Sequence, residues 1–360
     1  MKKILPFLLM LIIGKTGMSQ LNVSFDFSNV EETISFFKKT SPTKEDIDQL
    51  IATPGLKAII KKIRSNDSTA KIVLQKLSQG IKPTGKENDF QYVMIKEHLQ
   101  ELEDFANRIK ATKQVILDSI NSLSVYLPEG KKIPVKVSFL VGGYSAGFTL
   151  SDDNVFYIGM HQYQNDLTGI VNTCQHELFH NIQGLSYDRT AVMKKLQDAK
   201  EFPSLYVYYI GLNIFVEGTA EYMADIDKMD LSTPYMKRQA EHANVNKYRM
   251  RENFYLVEKI LMDAYTNNEK IDADLSYNIL FDWNWNNPGY QVGKLMAKAL
   301  AKANGQMIMK KYLSSDPMIF IQDYIKLAKT NKADHPYNFS EEFEQMIDTV
   351  VSKLNAISLR

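Results

Sequence analysis

Apolar residues recur at helical spacing through residues 20–126, which predicts a helical N-terminal region. Thr43 and Asp46 stand three residues apart just before Ile47, in the arrangement of a capping box with Asp in place of Glu. Farther along, residues 90–124 carry one apolar stripe, which predicts a single long amphipathic helix. No pattern in this region carries chemistry, so we expect a packed helical domain or a cover over the rest of the chain.

The helical spacing then changes to strict alternation. Val135, Val137 and Phe139 are separated by single residues, a pattern typical of a β-strand. Two shorter strands are expected after it: residues 148–150, which can pair back on the first strand, and residues 155–158. The sequence therefore predicts a small sheet in the middle of the chain.

A helix is predicted next, beginning after Asp166 or Thr168, either of which can cap it, and ending near Gly184. Cys174 falls on its apolar stripe, so we expect a buried, inert thiol there. The remaining residues are mostly helical in pattern. A small sheet that leads into a helix, followed by further helices, defines a mostly helical α+β fold.

The N-terminus has the pattern of a secretory signal peptide. Lys2 and Lys3 precede an apolar run at 4–13, and small residues lead to Ser19, where we expect cleavage before Gln20. The run is about half of the ~20 residues that a bilayer span needs. We therefore expect a secreted or periplasmic protein with no stable membrane span after cleavage. The expected organisation is a signal peptide (1–19), a helical region (20–126) and a larger domain that begins with the predicted sheet (127–360).

Charge and cysteine content exclude some classes. Cleavage would remove three lysines and no acids, leaving 40 basic and 42 acidic residues. With no basic patch, a nucleic-acid partner is not expected. Cys174 is the only cysteine in the chain, so an internal disulfide framework is excluded.

The predicted helix carries the pattern H-E-x-x-H in His176, Glu177 and His180. Residues four apart share one helix face, so both imidazoles can reach one Zn²⁺ at about 2.0–2.1 Å. Glu177 is offset around the helix by about 100° and lies beside the metal, where it can accept a proton from a metal-bound water. The alternative is a surface helix that carries two unrelated histidines and binds no metal.

A catalytic zinc site needs a third protein ligand and keeps one position open. Glu217 and Glu221 lie four residues apart in an apolar stretch downstream, on one helix face. One of them can bind the metal while the other hydrogen-bonds a ligating histidine and fixes its tautomer. Each could also be an ordinary solvated glutamate.

The H-E-x-x-H pattern at 176–180, followed by E-G-x-A-x-Y at 217–222, resembles the gluzincin branch of the zincin metallopeptidases. The resemblance implies a zincin-like catalytic domain in which Glu217 is the third ligand and Glu221 supports a histidine from outside the ligand set. More closely, the chain is similar to uncharacterised secreted bacterial zinc-dependent peptidases, most strongly over about residues 130–330. The segment between His180 and Glu217 is longer than in the better-known gluzincins, and we expect residues 187–210 to form an added helical excursion over the cleft.

The resemblance implies a zinc-dependent metallopeptidase that uses one Zn²⁺ ion and a peptide or protein substrate. The zinc-activated water would attack the peptide bond, with Glu177 as the general base. The related peptidases also share a Y-x-x-G helix after the metal site, which makes Tyr290 the candidate donor to the developing oxyanion. A tyrosine in the core or the cleft wall is the alternative for this position. Residues 155–160 are expected to be the sheet edge that pairs with substrate.

Two other functions are compatible with the same residues. The protein could be a non-catalytic exported binding protein on a zincin scaffold. Against this, the base and the three ligand positions are all intact, whereas a degenerate enzyme would be expected to have lost at least one of them. It could also be a zinc hydrolase that acts on a non-protein amide. Endopeptidase or exopeptidase action and the oligomeric state are not encoded in any pattern that we find.

Overall fold

The chain folds around a small mixed sheet. A computed structural model describes residues 20–130, 132–150, 154–199, 205–267, 272–331 and 337–358; the expected signal peptide lies outside them. The strands are β1 (Gln20–Asp26), β2 (Lys132–Leu140), β3 (Gly147–Thr149) and β4 (Val155–Gly159). Their order is β1-β2-β4-β3, with β1, β2 and β4 parallel and β3 antiparallel to β4. The fold is α+β and mostly helical, as predicted.

Helices make up most of the rest of the described chain. Those between β1 and β2 are α1 (Ser28–Lys38), α2 (Lys44–Ala52), α3 (Pro54–Lys62), α4 (Asp67–Ser78), α5 (Tyr92–Glu97), α6 (Leu99–Ala111) and α7 (Lys113–Asn121). Those after the sheet are α8 (Leu167–Ser186), α9 (Arg189–Asp198), α10 (Leu205–Met223), α11 (Pro234–Tyr248), α12 (Met250–Thr266), α13 (Ala273–Phe281), α14 (Pro288–Asn304), α15 (Ile308–Leu313), α16 (Pro317–Thr330) and α17 (Glu341–Ser358). Among the described residues, no helix combines the length and apolar character needed to cross a bilayer.

Strand β1 was missed by the expectation that residues 20–126 are all helical. Leu21, Val23 and Phe25 alternate with polar residues, which is the signature of a half-buried strand. Each pairs in parallel register with an apolar residue of β2, as Leu21 does with Ile133. One cluster of buried residues includes this sheet together with the helices that precede and follow it along the chain. The domain boundary at 126/127 remains a prediction.

The single helix expected over residues 90–124 is also wrong, because the segment is divided into α5, α6 and α7. The breaks fall at His98 and Thr112, whose backbone angles leave the helical range. The apolar stripe is still buried, but its parts face different neighbours: α6 packs on α1, and α7 packs on α8. Because of the two breaks, the apolar faces of α6 and α7 contact different parts of the core.

The capping box at Thr43 and Asp46 is confirmed.

The pairing of the short strands differs from the prediction. Residues 147–149 pair with β4 and not with β2, because β4 inserts between them in the sheet. The sheet edge beside α8 is therefore β3, and the expectation that residues 155–160 form this edge is wrong. Helix α8 packs against both β3 and β4. This arrangement places the helix with the H-E-x-x-H pattern directly beside an edge strand.

Candidate metal centre

Helix α8 presents both histidines from a well-anchored position. Its N-terminus is capped by Asp166, whose side chain accepts a hydrogen bond from the Gly169 amide at 2.9 Å. The opposite face is buried as predicted, with Ile170, Cys174 and Leu178 fully enclosed. Burial also raises the pKa of the Cys174 thiol, as expected for an inert core cysteine. A rigid helix with one face in the core fixes the direction of the other face.

Three potential ligand atoms converge on one point between α8 and α10, the metal point. His176 Nε2 and His180 Nε2 lie 3.0 Å apart, and Glu217 Oε2 lies 3.4 Å from the first and 3.3 Å from the second. Around a tetrahedral Zn²⁺ with bonds of about 2.0–2.1 Å, ligand atoms stand about 3.3–3.4 Å apart. These three residues form a group that could hold a metal ion among the described residues.

The charged groups around the metal point favour a bound cation. Glu217 Oε2 is buried and has no hydrogen-bond partner in the part of the chain that the structure describes. Burial raises the pKa of Glu217, but the two histidines outweigh this and hold it well below its usual value. Burial lowers the pKa of His176, but the close Glu217 carboxylate and the neighbouring carboxylates raise it to about 9. The donor set of two imidazoles and one carboxylate thus fits a divalent zinc ion.

The outer nitrogen of His180 is fixed by Gln183, which the sequence analysis missed. His180 Nδ1 donates to Gln183 Oε1 at 2.9 Å. Gln183 Nε2 in turn donates to Val216 O and Thr219 Oγ1, each at 2.8 Å. This tautomer leaves His180 Nε2 with its lone pair directed at the metal point. The available signal was the spacing, since Gln183 follows His180 by three residues on the same helix face.

Glu221 lies one turn after Glu217 on α10. Its Oε2 stands 3.7 Å from His176 Nδ1, the nitrogen that faces away from the metal point. Glu221 is therefore where an acid supporting His176 would be, and it is not part of the three-atom cluster. Helical spacing placed these two glutamates on one face and left open which would be the ligand, whereas the gluzincin resemblance assigned that role to Glu217.

Glu177 lies beside the metal point on the side of strand β3. Its side chain is buried, and burial raises its pKa, although both histidines oppose this shift. A Cβ added at Gly147 would stand 2.8 Å from Glu177 Oε1 and 2.4 Å from Thr173 Cγ2. Only a glycine lets the edge strand approach this carboxylate so closely.

Tyr290 is brought to the site by a close helix crossing. A Cβ on Gly218 would lie 2.3 Å from Gly293 Cα, so α10 and α14 touch backbone to backbone at these glycines. Tyr290 lies three residues before Gly293, and its ring stacks on His176 with centroids 6.2 Å apart and planes 11° apart. Burial and the charge of Glu217 raise the pKa of Tyr290 well above its usual value, so its hydroxyl stays protonated.

We expect Gly218→Ala to lower the free energy of unfolding by about 1–3 kcal/mol, because the methyl group overpacks the crossing. Gly184→Ala is the matched control: it also lies in a helix, but a Cβ there meets nothing within 4 Å. That change should raise stability by about 0.4–1 kcal/mol. Urea unfolding of the metal-free proteins measures both effects. Equal stability of Gly218→Ala and the wild type would contradict the backbone contact.

A cleft of about 780 Å³ opens from the metal point. Its wall includes His180 and Glu217 together with Thr149 of the edge strand. The segment between the H-E-x-x-H and E-G-x-A-x-Y motifs includes α9 and contributes Tyr187 and Asp188 to the wall. An added helix is thus present beside the cleft, and the expectation that residues 187–210 extend over the cleft stays a prediction.

The six residues singled out from the sequence lie together around the metal point, and two of them, His180 and Glu217, also line the cleft. Residues 47–333 match the family described as "Putative zinc dependent peptidase (DUF5700)". The match covers most of the chain, and the protein belongs to this family. No curated protein and no solved structure matches the chain.

Proposed function

We propose that the protein is a zinc metallopeptidase of the gluzincin type that hydrolyses peptide bonds. The observation that carries this proposal is the triangle of His176 Nε2, His180 Nε2 and Glu217 Oε2, with sides of 3.0–3.4 Å. In this proposal the three residues hold one zinc ion and leave a fourth position to solvent. The family membership supports a zinc-dependent peptidase at a coarser level.

The bound zinc would lower the pKa of a water molecule and polarise the scissile carbonyl. Glu177 accepts the proton of the attacking water on its carboxylate and returns that proton to the leaving nitrogen. Burial of Glu177 suits this role, because its raised pKa brings it closer to the working pH. The Tyr290 hydroxyl, held in its protonated form, donates a hydrogen bond to the carbonyl oxygen as negative charge develops there.

The position of β3 favours a peptide substrate. Strand β3 has one neighbour, β4, in the described sheet, so its other edge is free to pair with an extended chain. Gly147 on this strand lies against Glu177, and Thr149 lines the cleft. A peptide paired with β3 would therefore run past Glu177 with its backbone held in place. Backbone pairing alone would not select among substrate side chains.

We further propose that the protein acts outside the cytoplasm, after removal of residues 1–19. The alternatives are a non-catalytic exported binding protein and a zinc hydrolase of non-protein amides. The proposed base, the donor set and the open cleft are what a catalytic site needs, which favours an enzyme over a binding protein.

Digestion of a broad peptide library by the zinc-loaded protein tests the proposed activity. We expect new peptide termini that disappear after chelation and return when zinc is added, because the proposed mechanism depends on the bound zinc. Mass spectrometry of the products would identify the cleaved bonds. Zinc binding without any cleavage would favour the binding protein or the non-peptide hydrolase, and would overturn the peptidase assignment.

A further inference from the structure

A buried lysine lies behind the candidate metal centre. Lys294 on α14 is only 8% exposed, and its Nζ stands 2.9 Å from Asp225 Oδ1 and 3.7 Å from Glu221 Oε1. A buried ammonium group is costly unless it is paired with carboxylates. Lys294 has two such partners, and one of them faces His176 Nδ1 at 3.7 Å. The lysine therefore connects to the metal centre through a single glutamate.

The connection follows from interleaved side chains on two touching helices. Glu217, Glu221 and Asp225 recur every four residues along α10 and just past its end, and carboxylates at this spacing repel each other. Tyr290 and Lys294 recur at the same spacing on α14. The close crossing of the two helices sets one row against the other. The lysine lies between the last two acids, where it offsets their repulsion.

We propose that Lys294 is a positioning residue of the metal centre. It holds the Glu221 carboxylate in place through one oxygen, so that the other oxygen faces the Nδ1–H of His176. The ring is then held in the tautomer that presents Nε2 to the metal. This inference rests on the proposed function, since it requires that His176 binds zinc.

The partial exposure of Glu221 explains why the lysine is needed. Its side chain is 24% exposed, so without the ammonium group it can turn towards solvent and away from the buried Asp225, whose side chain is 4% exposed. Loss of an outer partner of a ligating histidine typically weakens metal binding about 10–100-fold. The same loss is expected when Lys294 no longer holds Glu221.

Lys298 provides a matched control on the same helix. Its Nζ lies 3.9 Å from Asp225 Oδ2 and 3.3 Å from Asp227 Oδ2, so it shares one acidic partner with Lys294. Its side chain is 57% exposed, and it forms no ion pair with Glu221 among the described residues. Replacing it removes a lysine from the same network without touching the glutamate that faces the histidine.

The test is zinc affinity, measured by competition with a chromophoric chelator at constant pH. Lys294→Met should bind zinc about 10–100-fold more weakly than wild type, Lys298→Met should bind as wild type does, and Lys294→Arg should recover most of the loss. In a Glu221→Gln background, Lys294→Met should cause little further loss, because the two changes remove the same interaction. Circular dichroism of the metal-free proteins checks folding; if Lys294→Met does not fold, Lys294→Gln keeps an N–H donor for Asp225 and takes its place.

Each outcome separates this inference from the proposed function. Equal zinc affinity of wild type and the Lys294 variant would overturn the positioning role and leave the metal site intact. Fully additive losses from the Lys294 and Glu221 changes would also overturn it, because a general structural effect does not depend on Glu221. A wild-type protein that binds no zinc would overturn the proposed function together with the role of Lys294.

Discussion

Glu177→Gln is expected to keep one bound zinc ion and to lower kcat/KM by about 10²–10⁴-fold, the usual contribution of a general base. Glutamine has nearly the same shape, and Glu177 is not part of the ligand triangle, so the metal point should be unchanged. What is lost is the carboxylate that accepts the proton of the attacking water. Zinc content by elemental analysis and hydrolysis of a peptide selected from the library measure the two effects separately.

Glu241→Gln is a suitable control for this change, since Glu241 is an exposed residue of α11. It makes the same loss of one carboxylate charge away from the cleft and should leave both zinc content and turnover unchanged. If Glu177→Gln were as active as wild type, another group would have to be the base. Loss of zinc from this variant would instead show that Glu177 contributes to metal binding.

Glu217→Gln should weaken zinc binding by more than about 100-fold, because it removes a charged ligand from a site of three. Loss of an outer partner of a ligand costs only about 10–100-fold in affinity. The two histidine nitrogens alone leave the ion with half of its tetrahedral positions unfilled by protein. Activity should disappear with the metal. Zinc retained after dialysis against a competing chelator measures the change.

The neighbouring glutamate supplies the matched control for the ligand assignment. Glu221→Gln makes the same chemical change one helical turn away, beside His176 Nδ1 rather than at the metal point. It should keep zinc at one ion per chain, with affinity about 10–100-fold weaker. If Glu217→Gln instead retained wild-type zinc binding while Glu221→Gln lost it, the third ligand would be Glu221.

The parts of the site that depend on local spacing could be predicted from the sequence. An α-helix places residues four apart on one face, so His176 and His180 had to share a face, and so did Glu217 and Glu221. The apolar stripe through Cys174 likewise identified the buried face of α8, and it is buried in the structure.

The parts that depend on contacts between distant segments could not be predicted in this way. The role of Gly147 depends on β4 inserting between β2 and β3, which no local pattern encodes. The pairing of Lys294 with Glu221 depends on where α14 crosses α10. Strand β1 is a different case, because its alternation was visible in residues 20–26 and was overlooked in favour of the surrounding helical spacing.

The parallel pairing of β1 with β2 has a consequence for how the protein folds. Seven α-helices separate the two strands along the chain, so the sheet closes only after a long segment has been brought together, and such non-local pairing slows folding. Until then the edge of β2, with Ile133, Val135 and Val137, can pair with strands of other molecules. A truncated chain that begins at residue 127 would keep this edge bare, and we expect it to self-associate during refolding even though it retains every candidate zinc ligand.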